Sequence, residues 1–155
     1  MFKKVLTFIL VALMVSATAM SLNIPYCSTE ENPFSFLNYN FLSITGKIVL
    51  VKAKSNVDYS YYRCMMDGSL ITLIVSRRTG VIDAVVLSVP DVDSYVFNTL
   101  KKEYNKKGKV IINTKNNMMY EFTTFIAFLT RKNKITSFSI FNASYGNYVL
   151  SGIKK

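Results

Sequence analysis

Along most of this chain apolar and polar residues alternate with the short period of a β-strand, and the pattern changes to a helical period only once. Residues 41–54 are rich in Ile, Val and Leu, with Gly46 as a candidate bulge. Residues 57–66 carry Tyr59, Tyr61 and Tyr62 and also read as a strand. Asp67-Gly68 separates them from the apolar run 69–76, and such a pair between two runs predicts a hairpin. Arg77-Arg78-Thr79-Gly80 predicts a second tight connection, and 81–89 the strand after it. The first half therefore reads as an antiparallel meander.

After Pro90 the spacing becomes helical. Val92, Tyr95, Val96, Thr99, Leu100 and Tyr104 recur at three, four, seven and eight, which predicts one buried face of a helix over about 92–107. Asp91 is the expected N-cap, with Asp93 also near the positive end of the dipole. Lys106 and Lys107 sit at the negative end, and Gly108 is expected to take a left-handed stop. Glu103 and Lys107 form an i,i+4 pair, while Lys102 and Lys106 are expected to face solvent.

Strand spacing then resumes. Residues 109–114 form a short run, 115–117 a turn, and 118–130 a long alternating stretch. That stretch puts Tyr120, Phe122, Thr124, Ile126 and Phe128 on one face. A charged turn at 131–134 leads to 135–141, and a last strand is expected at 148–151 after a connection over 143–147. The fold class is α+β: antiparallel meanders with a single helix, about 92–107, packed on the sheet. Without linkers, repeats or low-complexity stretches, residues 20–155 read as one domain, with 20–40 as an extended N-terminal arm.

The N-terminus has a different logic. Lys3 and Lys4 precede 11 mostly apolar residues, Val5 to Val15, and then Ser16-Ala17-Thr18-Ala19. A basic start, an apolar run too short to span a bilayer and small residues at the end make 1–19 a signal peptide. The chain is thus expected to be exported, periplasmic or secreted. An oxidising compartment favours a disulfide between the two cysteines, Cys27 and Cys64.

Composition narrows the function. Half the residues are hydrophobic and 18% are charged, so the chain has material for a core and is not disordered as a whole. Histidine is absent. That excludes Ser-His-Asp and Cys-His catalysis, His-ligated metals and histidine pH switches. No phosphate loop or nucleophile elbow is present, and Ser151-Gly152-Ile153-Lys154 stands alone as a Ser-x-x-Lys pattern without companion motifs. A carboxylate pair could serve a glycosidase, the candidates being Asp83, Asp91, Asp93, Glu103 and Glu121. Capping accounts for Asp91 and Asp93, a lysine partner for Glu103 and a solvent-facing strand position for Asp83. Only Glu121 remains, and one acid is half a mechanism. No enzyme, cofactor or metal site is expected.

Charge supplies the one directional signal. The formal net charge is +10. Residues 20–100 hold six basic and seven acidic residues, whereas 101–155 hold eleven basic and two acidic. Lys102, Lys106, Lys107 and Lys109 are the candidate basic surface, and an AT-rich coding bias would give the same lysines without any function. Tyr59, Tyr61, Tyr62 and Arg63 form a second candidate binding segment, because stiff amphipathic rings beside a cation are enriched at hot spots. The expectation is an exported, non-catalytic binding protein that contacts another protein or an anionic envelope surface, with nucleic acid the least expected partner. The processed chain is not expected to be integral to a membrane. The alternative is a carrier of a small apolar, lipid-like ligand, in a pocket between sheet and helix lined by Tyr95, Leu100, Phe122, Ile126 and Phe128.

Overall fold

Two four-stranded meanders meet in one antiparallel sheet in the computed structural model, which describes residues 25–27 and 31–153. The expected signal peptide, 1–19, and the start of the expected arm lie outside the described residues. The first meander is β1 (Val51–Ser55), β2 (Tyr59–Met66), β3 (Ser69–Ser76) and β4 (Ile82–Pro90). Helix α1 (Tyr95–Asn105) crosses to the second: β5 (Lys109–Asn113), β6 (Asn117–Glu121), β7 (Ile126–Lys132) and β8 (Ile135–Phe141). A second helix, α2 (Ala143–Ile153), follows. Strand order is β1-β2-β3-β4-β8-β7-β6-β5, so the last strands of the two meanders pair at the centre, from Ala84↔Phe141 to Pro90↔Ile135.

Tight turns set the registers. Asp67 and Gly68 both take positive φ, 47° and 76°, the twist that a two-residue hairpin loop needs. Asn133 and Lys134 do the same, at 51° and 61°, between β7 and β8. Alternation then sends side chains to two cores. On one face Cys64, Ile71, Leu73, Val85, Leu129 and Phe138 pack beneath α1 through Phe97. The N-terminal residues Phe36, Ile44 and Ile48 complete that layer. On the other face Ile74, Ala84, Val86, Phe128 and Phe141 pack with Tyr145 and Val149 of α2. Cys27 and Cys64 are joined by the expected disulfide, with Cα atoms 5.1 Å apart. Bonding of Cys27 N to the Met65 carbonyl and of Met65 N to the Pro25 carbonyl lays 25–27 alongside β2. Among the described residues no helix is long and apolar enough to cross a membrane.

Several local expectations are corrected. Among the described residues a second helix accompanies the expected one, because the last segment is helical rather than extended. Tyr145, Tyr148 and Val149 are spaced three and four apart and meet the sheet, and Asn142 Oδ1 caps them by accepting from Tyr145 N. Residues 41–54 are a strand only from Val51, and a 3-10 turn, Phe41–Ser43, capped by Asn40, opens the segment. The long stretch 118–130 is two strands. Phe122 N bonds the Phe125 carbonyl and the two rings stack at 4.7 Å, which folds the chain back. Tyr120 and Phe128 consequently lie in the cores of opposite faces.

Helix α1 starts later than expected, since Ser94 adopts positive φ (68°). This rotates the stripe: Phe97 is buried and Leu100 and Tyr104 pack on the core, while Val92 and Tyr95 are exposed at 69% and 70%. Asp91 still caps, from outside the helix, by accepting from Val96 N and Phe97 N at 3.0 Å each. Glu103 pairs with Lys106 rather than Lys107. Gly108 is not a left-handed stop. Its missing side chain makes room for Phe122, whose ring would lie 2.8 Å from an added Cβ.

Candidate functional site

One irregularity in β4 places the central residue of the site. Ile74 pairs with Ala84 and Val75 with Ile82, so Asp83 is the extra residue of a bulge. A bulge re-aims the side chain it carries. The strand position expected to face solvent is instead 4% exposed, and its carboxylate forms part of a cleft of about 380 Å³. This corrects the reading of Asp83 as a solvent-facing residue. The cleft opens at the end of the sheet where β1 leads into β2, β3 into β4 and β8 into α2. Val57, Asp58 and Tyr59 line it from the first loop, Ser76, Arg78, Thr79 and Asp83 from the second, and Ser144 and Tyr148 from α2.

Hydrogen bonds fix these walls. Tyr59 OH donates to Asp83 Oδ2 at 3.3 Å and Asn142 Nδ2 donates to Asp83 Oδ1 at 2.9 Å. Asn56 Oδ1 accepts from the backbone of Asp58 and Tyr59, while its Nδ2 donates to Tyr148 OH at 3.2 Å. Arg77 Nη1 donates to the Asn56 carbonyl at 2.9 Å, tying the two loops together. The Tyr59 ring meets Tyr145 and Tyr148 edge-on at 5.1 and 4.7 Å. Burial, then the charge of Asp83 and the bond to it, push the Tyr59 phenol far above its ordinary pKa. Burial likewise raises Tyr61, Tyr145 and Tyr148. The cluster therefore presents neutral hydroxyls at physiological pH, fixed donors and acceptors rather than anions or bases.

The tyrosine segment of β2 divides between the two faces. Tyr59 lines the cleft, and Tyr61 stands next to it, its hydroxyl accepting from Asn56 Nδ2 at 3.4 Å. Tyr62 points to the other face and stacks on Phe41 at 4.0 Å. Arg63 is buried at 2% exposure, opposite Thr72 and Val51 in register, and burial lowers its pKa. The segment is thus not one exposed hot spot. No binding or catalytic motif of the sequence marks Asp58, Arg78, Thr79, Ser144 or Tyr148. They belong to loops and to a helix whose spacing, at Tyr145, Tyr148 and Val149, was the available signal.

The basic candidates lie elsewhere. Lys102, Lys106, Lys107 and Lys109 are exposed on α1 and at the start of β5. Lys106 pairs with Glu103 at 3.2 Å, and Lys109 with Glu121 at 3.1 Å. Glu121, the one acid without a structural role in the sequence, thus has a lysine partner. Lys109 begins β5 and Lys115 lies just past its other end, with Lys132 and Lys134 at the same end as Lys115, so the basic excess is spread over this half. The lining expected for an apolar pocket is also dispersed. Tyr95 is exposed, Leu100 and Phe122 pack on the α1 face, and Ile126 and Phe128 on the α2 face.

Fold and site together define an antiparallel α+β protein with a polar, tyrosine-walled cleft at one end of its sheet. No protein-family model, curated protein or solved structure matches the chain.

Proposed function

We propose that the chain is an exported, non-catalytic binding protein and that its recognition site is the cleft between the β1–β2 loop, the bulged start of β4 and α2. The observation that carries this reading is the convergence of three separate segments on one cleft of about 380 Å³, with its polar groups already held by the protein. Preorganised polar groups on a concave surface favour recognition, because little entropy is lost when a ligand meets them. The disulfide is compatible with export. A recognition role is supported by the phenols, which burial keeps as neutral hydrogen-bonding groups. A lipid carrier is the weaker reading, because aromatic side chains such as Phe97, Tyr104, Tyr120 and Phe138 fill the space between α1 and the sheet.

Blocking the cleft tests the proposal. Ser144 is exposed on α2 at the rim, so Ser144→Trp can fill the space without disturbing the sheet. The protein and this variant are screened by ligand-observed NMR against small amines, carboxylates and sugars. At least one class should bind the wild type and be lost in the variant. Binding that ignores the tryptophan, or no binding by any class, would contradict the assignment.

A further inference from the structure

We infer that the cleft takes a cationic group, a primary ammonium or a guanidinium, on the Asp83 carboxylate; the inference rests on the cleft being the binding site. Asp83 is 96% buried by its 4% exposure, yet among the described residues no lysine or arginine forms an ion pair with it. Its donors are a phenol and an amide, both neutral. A buried carboxylate without a cation is costly to maintain, and a serine or asparagine could hold a bulge without that cost. A ligand cation would supply the missing charge, at a carboxylate that Tyr59 and Asn142 already hold in one orientation.

Three further features fit a cation. Asp58 adds a second carboxylate to the lining, exposed at the mouth. The Tyr59 and Tyr148 rings line the same space, and aromatic faces attract ammonium and guanidinium groups. The segments that build the cleft, 57–83 and 144–148, lie outside the lysine-rich 101–134. The strongly basic remainder would otherwise repel such a ligand. Among the described residues Arg78 is the one cation of the lining, and it is exposed rather than set on Asp83. Its position suits a ligand that also carries an acceptor, such as a carboxylate or carbonyl, some distance from its positive end.

The test uses the intact, oxidised chain and four probes: butane-1,4-diamine, N-acetyl-lysine amide, butane-1,4-diol and acetate. Affinities are read from chemical-shift titrations at pH 7. At least one amine should bind at the cleft, and the diol and acetate should bind about tenfold more weakly or not at all. Binding of the diamine alone points to a small amine as the natural ligand, binding of the lysine amide alone to a basic peptide side chain, and binding of both to the cationic group itself. Asp83→Asn keeps the shape and a hydrogen-bonding partner for Tyr59, so it should fold with undiminished thermal stability while losing amine affinity about tenfold or more. If Asp83→Asn does not fold, the charge has a structural role and the inference falls. If it folds and binds amines as well as wild type, the inference also falls. Diol or acetate binding that Ser144→Trp abolishes would overturn the cation while leaving the cleft as a binding site. Failure of every probe at the cleft would overturn this inference, and the wider compound screen would then decide the cleft itself.

Discussion

Asp91 illustrates how much one side chain can hold. Burial alone would raise its pKa, but Thr136 OH (2.7 Å), the amides of Phe97 and Val96 and the charge of Arg131 (3.7 Å) together hold it below the ordinary value. A depressed folded pKa contributes stability that is present above the unfolded value, about 4, and is lost as pH falls through the folded value. Asp91→Ala should cost about 2–4 kcal/mol at pH 7. Denaturant unfolding at pH 7 and below pH 3 checks this: the gap between wild type and variant should shrink toward the lower pH. The tyrosine cluster behaves in the opposite sense. Raised folded pKa values at Tyr59, Tyr61, Tyr145 and Tyr148 give stability that is full below about pH 10 and lost as pH rises through those values. In an alkaline titration followed by tyrosinate absorbance, these four should ionise together with unfolding. Early, non-cooperative ionisation of all ten tyrosines would show that the cluster is open.

Among the elements, α1 separates what spacing can and cannot give. The period over 92–107 marks a helix correctly, but the phase depends on where the helix starts, and Ser94 in the left-handed region delays it to Tyr95. Phe97→Ala should therefore cost about 3–5 kcal/mol, while Val92→Asp, at an exposed position, should change stability little. Equal losses in thermal unfolding would restore the earlier phase. Strand β3 was legible to the residue, because Asp67-Gly68 fixes one end and a run apolar but for Thr72, bounded by Ser69 and Ser76, fixes its length. The break at Phe122–Phe125 was not, since a turn built by two stacking phenylalanines has no glycine, proline or asparagine to announce it. Helix α2 was hidden by Gly146 and Asn147, which resemble a loop. Gly146 is instead buried near Phe141 and Ile126, where an added Cβ would be in contact distance.

Taken as a molecule, the fold was largely readable and the site was not. The first meander and the helix after it follow from local patterns, and the Cys27–Cys64 link from the pairing expected of two cysteines in an exported chain. The cleft needs the bulge at Asp83 and the pairing of β4 with β8, which spacing does not contain, and the last helix, whose spacing at Tyr145, Tyr148 and Val149 is masked by Gly146 and Asn147. A lone carboxylate inside the apolar run 81–86 was the visible hint. The disulfide closes a loop spanning 37 positions, and replacing both cysteines by serine should cost about 4 kcal/mol in the chain-entropy model. Denaturant midpoints should fall accordingly, and reductant should lower the wild type but not the double variant. A wild type insensitive to reductant would mean that the link adds nothing to stability.

The measurement closest to the central claim compares the two surfaces directly. Backbone amide shifts of the labelled, oxidised protein are recorded while the best-bound compound of the screen is added at about 0.15 M salt, where exposed charges are screened beyond about 8 Å. The account predicts that the largest changes fall on residues 57–59, 76–83 and 144–148, with Lys102, Lys106, Lys107 and Lys109 unaffected. Changes confined to those lysines, with the cleft silent, would contradict it and make the basic half the binding surface.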